Sequence, residues 1–228
     1  MKLKVGFFIF TLFLTACSKN YDNNALSIFK YNESAGISTL DPIFARDQAT
    51  IWVTNQLFNG LVQLDNDLNV KASIAKNWHV SDNALMYTFF MRDDVFFHED
   101  KLFNNGMFRK VIAQDFEYSF NRLLDKNLAA PGAWVLSNVR SFKAENDSTF
   151  IVNLKKPFPA FLSLLSMQYC SVVPREIVEA RDFNRYPVGT GPFQFQLWKD
   201  GVKLVLRKNH NYFEKEKGKQ LPFLDAIA

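Results

Sequence analysis

The sequence predicts a mixed α/β fold, of the α+β kind with many hairpins, rather than a helical bundle or a β-sandwich. Two hairpin signals and one strongly periodic helix carry that prediction. Phe193, Phe195 and Leu197 alternate before Asp200-Gly201, and Val202, Leu204 and Leu206 alternate after it. Asp-Gly between alternating runs favours a tight turn, because Gly accepts positive φ without a Cβ clash. Residues 139–144 and 149–154 flank the polar Glu145-Asn146-Asp147-Ser148 in the same manner. Residues 114–124 place Phe116, Phe120, Leu123 and Leu124 at i, i+4, i+7 and i+8, one face of a helix. Asp115 and Glu117 stand in its first turn, where negative charge opposes the helix dipole favourably. Strands and helices mixed in this way stack as α and β layers.

The remaining elements follow in chain order. Residues 26–31 alternate apolar and polar and read as a strand. Leu40-Asp41-Pro42 breaks the chain into a turn. Residues 47–58 carry Ile51, Trp52, Val53, Leu57 and Phe58 at roughly helical spacing. Asn59-Gly60 is expected to stop that helix, with Gly60 in the left-handed cap position. Residues 61–64 form a short strand ended by Asp65-Asn66-Asp67, and residues 74–91 form two strands around Ser81-Asp82-Asn83. Residues 159–165 and 174–180 read as short helices entered through Pro, whose missing N–H is tolerated in a first turn.

The amino terminus has a separate character. Lys2 and Lys4 precede an apolar run from Val5 to Leu14, interrupted only by Gly6 and Thr11. That run is about half the ~20 residues needed to span a bilayer and suits the apolar core of a secretory signal. Leu14-Thr15-Ala16-Cys17 closes it and resembles a bacterial lipobox. An ordinary secretory signal, the alternative, has no need of cysteine there, whereas a lipoprotein needs the thiol for its diacylglyceryl thioether. Residues 1–16 are therefore expected to be a lipoprotein signal peptide, with Cys17 the lipidated first residue of the mature chain. Residues 17–24 are polar and read as a tether. The seven residues from Ser18 to Asn24 reach about 23 Å when extended. The globular part is assigned to residues 25–228, facing the periplasm or cell exterior as a membrane-anchored lipoprotein.

Composition narrows the chemistry. The formal net charge of +4 falls by two when Lys2 and Lys4 leave with the signal. Lys215, Lys217 and Lys219 are interleaved with Glu214 and Glu216, so that cluster reads as a solvated surface, and no nucleic-acid role is expected. Besides Cys17 there is only Cys170, set among Leu164, Leu165 and Val172, which reads as a small core hydrophobe. The three histidines, His79, His98 and His210, have no metal-type spacing and read as core or surface residues. There is no Gly-x-Ser-x-Gly elbow. Gly189-Thr190-Gly191 lacks the Gly-Lys-Ser/Thr ending of a phosphate loop, and Pro192 removes an N–H such a cradle would use. The inventory points to neither an enzyme nor a cofactor or metal protein.

Several segments in order resemble the family 5 solute-binding proteins of ABC transporters, the dipeptide- and oligopeptide-binding type. They are Thr39-Leu40-Asp41-Pro42, Phe58-Asn59-Gly60-Leu61-Val62, Ile74-Ala75-Lys76-Asn77-Trp78 and Tyr87-Thr88-Phe89-Phe90-Met91-Arg92. Val95-Phe96-Phe97-His98, Ala113-Gln114-Asp115-Phe116 and Tyr118-Ser119-Phe120 follow, then Leu154-Lys155-Lys156-Pro157-Phe158-Pro159 and Val188-Gly189-Thr190-Gly191-Pro192-Phe193. The chain departs from the pattern after Phe97-His98, where Glu99-Asp100-Lys101 opens a longer loop to Arg109-Lys110. The resemblance implies lobe I of a two-lobe periplasmic-binding-protein-like fold, with the second lobe absent from this chain. It also implies a monomer that captures short peptides reversibly and delivers them to a membrane permease and its ATPase, with no bond chemistry.

By the same resemblance the segment after the Leu-Asp-Pro turn lines the cleft, which maps to Ala45, Arg46, Asp47 and Gln48. Arg46 would meet a ligand carboxylate and Asp47 an amine; alternatively, Asp47 simply caps the following helix. Pro131-Gly132-Ala133-Trp134 occupies the place of a second contact, so Trp134 would wall a side-chain pocket, the alternative being a core Trp. The groups that hold peptide termini in the family would lie in the second lobe, so residues 17–228 alone are expected not to bind peptide. Other cargoes remain open at this point: nickel chelate, haem or oligosaccharide. So does a surface lipoprotein with a structural or adhesive role.

Overall fold

The computed structural model describes residues 26–103 and 108–228. The segments expected to be a signal peptide and a tether, with Cys17 between them, lie outside the described residues. In chain order the elements are β1 (Ile28–Phe29), α1 (Gln48–Leu57), β2 (Val62–Leu64), β3 (Val70–Ala72), β4 (Ala75–Val80), β5 (Met86–Met91) and α2 (Ala113–Leu124). Then come β6 (Val139–Asn146), β7 (Thr149–Leu154), α3 (Phe161–Leu165), α4 (Arg175–Ala180), β8 (Phe193–Lys199), β9 (Lys203–Lys208), β10 (Lys215–Glu216), β11 (Lys219–Gln220) and β12 (Ala226–Ile227). Three short 3-10 turns, Pro42–Phe44, Ala133–Leu136 and Gln168–Cys170, join them.

Two four-stranded sheets organise the molecule. One is antiparallel in the order β4-β5-β7-β6, and α2 packs on it. The periodicity that predicts α2 is the reason: Phe116, Phe120 and Leu123 are fully buried, and Phe120 meets Phe150 of β7 edge-on at 5.4 Å and Phe142 of β6 at 5.5 Å. Edge-to-face pairs of this kind add to simple area burial because ring edges and faces carry opposite partial charge. Asp115 accepts the Ile112 N–H at 2.9 Å at the helix start, and Glu117 accepts the Ala144 N–H at 2.7 Å, tying α2 to β6.

The second sheet has the order β1-β12-β9-β8. Its β8–β9 hairpin turns at Gly201, whose φ of +64° is the conformation the Asp-Gly pair predicts. β12 runs antiparallel to β9 and parallel to β1, with Tyr31 N–H bonded to the Ala228 carbonyl at 2.9 Å. One continuous hydrophobic core joins both sheets and the helices. Cys170 is buried within it, and burial pushes its thiol up to about 12, so it is an inert hydrophobe as expected.

One expectation needs correction, and one strand goes beyond the sequence reading. Gly60 is not a left-handed cap. Helix α1 ends at Phe58, in extended backbone at φ −133°, with its N–H still bonded to the Thr54 carbonyl. The chain runs straight on into β2, and what Gly60 supplies is close approach: a Cβ there would sit 3.2 Å from the Leu165 carbonyl oxygen. Secondly, β3 pairs with β2 around the Asp65 turn, although Val70-Lys71-Ala72 is too short to show a period.

The longer loop after His98 is closed by backbone pairing at its neck. Phe97 N–H bonds the Arg109 carbonyl, and Val111 N–H bonds the Val95 carbonyl, both at 2.9 Å. The Arg109 guanidinium stacks on Phe97 at 4.6 Å and donates to both Asp115 oxygens at 2.9 and 2.8 Å. A bidentate pair with an aromatic floor holds that neck firmly.

Candidate ligand-binding site

The Leu-Asp-Pro turn is fixed by a buried ion pair. Asp41 has no exposed surface, and Arg122 of α2 donates to both its carboxylate oxygens. Asp41 also accepts the Ile43 N–H, opening the Pro42–Phe44 turn, while Thr39 Oγ1 accepts the Asp41 N–H and donates to Asn184. The chain leaves this anchor at Ala45, whose N–H closes on the Pro42 carbonyl, and emerges at Arg46, Asp47 and Gln48, all three exposed.

Asp47 is the helix cap. Its Oδ1 accepts the Thr50 N–H at 2.9 Å and its Oδ2 accepts the Thr50 hydroxyl at 3.0 Å, so both oxygens serve α1. Ala45 is buried and supports the turn from beneath. Arg46 makes no ion pair with another of the described residues. Trp134 is 54% exposed, which rules out the core alternative. It follows Gly132, where a Cβ would stand 2.1 Å from the Tyr169 ring, so only glycine lets that ring close in. The Tyr169 phenol is raised chiefly by burial, with Arg46 opposing and Asp47 adding to the shift. Tyr169 thus lies between the Trp134 turn and the Arg46–Asp47 turn.

Beside the start of α1 is an open groove of about 530 Å³. Asp47 and Gln48 line it, together with Tyr31, Glu33, Ile37 and Trp52. Ala45, Arg46 and Trp134 are not among its lining residues. Sequence reasoning missed Tyr31, Glu33, Ile37 and Trp52. Trp52 carries the clearest signal in retrospect. α1 buries Ala49, Thr50, Thr54 and Leu57, which leaves Trp52 on the far side of the helix, 46% exposed. Its indole meets the Tyr31 ring edge-on at 5.7 Å. A second cavity, about 480 Å³ between Asp94, Phe96, His210 and Phe213, contains none of the residues the sequence nominates.

The Gly189-Thr190-Gly191 turn packs against the end of α1. A Cβ on Gly189 would fall 2.0 Å from the Leu57 carbonyl oxygen and one on Gly191 would fall 2.4 Å from that of Gln56. His98 clamps this turn from the other side. Its Nδ1 accepts the Gly189 N–H at 3.2 Å, which leaves the proton on Nε2 to donate to the Gly191 carbonyl at 3.0 Å. With those N–H groups used internally, the turn is structural and holds the helix that borders the groove. Among the described residues no three His, Cys, Asp or Glu side chains converge as a metal group.

Residues 69–228 match the family described as bacterial extracellular solute-binding proteins, family 5 middle. The glutathione-binding protein GsiB of Salmonella typhi is 29% identical over 196 residues, covering 85% of this chain and 36% of its own length. Among solved structures, the periplasmic binding protein DppA of Helicobacter pylori, in complex with the peptide STSA, superposes with a TM-score of 0.76 at 27% identity. That match covers 88% of this chain and 41% of DppA. NikZ of Campylobacter jejuni, in complex with Ni(L-His), gives a TM-score of 0.72 at 26% identity over 89% of this chain and 38% of its own. The chain therefore spans well under half the length of these relatives, with the fold of one lobe of a periplasmic binding protein. The chain belongs to the family 5 solute-binding proteins of ABC transporters.

Proposed function

We propose that this chain forms the N-terminal lobe of a membrane-anchored, extracytoplasmic receptor that captures short peptides for an ABC permease and its ATPase. The observation that carries the reading is the groove beside α1, open on one side and bordered by polar groups on a rigid anchor. Asp41, Arg122 and His98 hold the surrounding backbone in place, so the site is largely preformed, which limits the ordering cost of binding. In this reading Arg46 meets a ligand carboxylate, Gln48 offers an amide to a peptide backbone, and Trp134 with Tyr169 walls a side-chain pocket. Asp47 acts by holding the first turn of α1, and Ala45 by packing beneath it. Lipid on Cys17 would keep capture within reach of one membrane. The receptor works as a monomer, with no cofactor and no bond chemistry.

The likeness to a peptide-bound DppA supports peptide cargo. The likeness to glutathione-binding GsiB and to NikZ with its nickel chelate favours a second reading, in which the same groove takes another small polar solute. The test is to purify the protein under native conditions, denature it, and identify what it releases by mass spectrometry. Peptides of a few residues support the first reading. A metal chelate or a non-peptide solute in stoichiometric amount supports the second.

A further inference from the structure

We propose that the groove beside α1 is a selective seat for an organic cation, an ammonium or guanidinium group borne by the ligand, held between Tyr31, Trp52 and Glu33. This rests on the solute-binding reading above and names the chemistry that one part of the site selects.

Three independent features of the groove converge on that class. The first is the aromatic pair. Tyr31 and Trp52 stand 5.7 Å apart and edge-on, both about half exposed, with the indole on the side of α1 that packs no core. Two rings at an angle present an electron-rich face and a corner, the arrangement that attracts a cation once it is partly desolvated. The second is charge. The charged side chains lining the groove are the carboxylates of Glu33 and Asp47, and no Lys or Arg lines it. Arg46 lies outside the lining, on the side of the turn toward Tyr169.

The third feature is the state of the two carboxylates. Both oxygens of Asp47 are engaged by Thr50, so Asp47 contributes field rather than a direct contact. Glu33 accepts one backbone N–H, from Ala35 at 2.9 Å through Oε1. Its charge reaches Tyr31, whose phenol is raised first by burial and then by Glu33. Glu33 is thus positioned by its own loop, beside the aromatic pair. Gly36, at φ +72°, supplies the left-handed backbone by which the 31–38 segment bends along the groove. An anionic group would meet two carboxylates here. A neutral apolar group would leave that negative field unmatched, so a cation is the occupant whose charge is complementary.

The ammonium could be that of a basic side chain or, against the expectation that termini are held by the second lobe, that of a peptide amino terminus, and calorimetry separates them. The intact protein is titrated with trialanine, N-acetyl-trialanine, Ala-Lys-Ala and Ala-norleucine-Ala. A tenfold or greater loss on acetylation assigns the amino terminus, and the same loss from Lys to norleucine assigns the side chain. In either case Glu33→Gln is expected to abolish the discrimination, and Trp52→Ala to weaken binding of the cationic member of the pair. Equal affinity across all four peptides, or discrimination that survives Glu33→Gln, overturns the proposal while leaving peptide binding intact. A peptide-independent arm uses n-butylammonium against n-butanol and butyrate, followed by saturation-transfer NMR. Contact with n-butylammonium alone, lost in Trp52→Ala, supports the cation seat even if no peptide binds, in which case only the peptide reading fails. Equal contact with all three compounds overturns the seat.

Discussion

Acidification should loosen the protein through His98, and the size of the effect follows from its two hydrogen bonds. The imidazole is buried beneath the Gly189–Gly191 turn and is held neutral, its Nδ1 filled by the Gly189 N–H. Protonation would set a second N–H against that donor. Burial, aided by the charge of Arg207 and opposed by the bond to Gly191, brings the group down from 6.5 to about 4. The unfolded chain therefore binds the proton more readily than the native one between those values. The stability contributed is complete above the unfolded value, is lost progressively as pH falls from about 6.5 toward about 4, and changes no further below that. The whole shift corresponds to about 3.4 kcal/mol, of which about 2 kcal/mol is lost between about pH 7.5 and about pH 5. Urea unfolding of the wild type and of His98→Gln at both pH values isolates the group, because the carboxylates are common to both proteins. The wild type should lose about 2 kcal/mol more than the variant over that interval. Equal losses in the two proteins, or a His98 ring resonance that titrates near pH 6.5, would refute the reasoning.

Arg122→Ala leaves Asp41 buried without its partner and should destabilise the protein by about 3–5 kcal/mol in denaturant unfolding; a loss below about 1 kcal/mol would mean the pair is solvated. Asp47→Ala should cost about 1 kcal/mol as a lost helix cap, while Asp47→Ser restores most of it, measured by thermal unfolding. Gly132→Ala drives a methyl into the Tyr169 ring and should cost about 1–3 kcal/mol, accompanied by a shift in Tyr169 fluorescence or NMR signals. Gly189→Ala meets backbone rather than a movable ring and should be the more damaging of the two glycine changes, in the same unfolding assay.

What the sequence discloses and what it conceals divide along physical lines. α2 is legible because Phe116, Phe120 and Leu123 recur on one face, and that face is buried against the sheet it covers. The β8–β9 hairpin is legible because Asp200-Gly201 encodes a backbone conformation directly. β3 is hidden because three residues carry no period, and its pairing depends on β2. Gly60 misleads because glycine meets two different needs, positive φ and close approach, and composition cannot tell them apart. The site is half legible. Arg46 to Gln48 follow from the turn that precedes them, and Asp47 as a cap follows from its place before a helical run. The groove wall facing Asp47 and Gln48 comes from Tyr31 and Glu33, which sequence separates from Trp52 and which only the packing of the 31–38 segment against α1 brings together.

The most direct test of the central claim, that the region around the start of α1 holds the ligand, uses the four tryptophans as reporters. The complete two-lobe receptor is labelled at the indole nitrogens and titrated with trialanine, the four signals of this lobe being assigned by Trp→Phe substitution. Trp52 and Trp134 border the proposed site, while Trp78 lies in β4 and Trp198 in β8, where Arg185 stacks on its ring at 4.0 Å. The resonances of Trp52 and Trp134 should move saturably, with those of Trp78 and Trp198 unchanged. Saturable binding that leaves Trp52 and Trp134 still, or that moves Trp78 or Trp198 instead, would contradict the account.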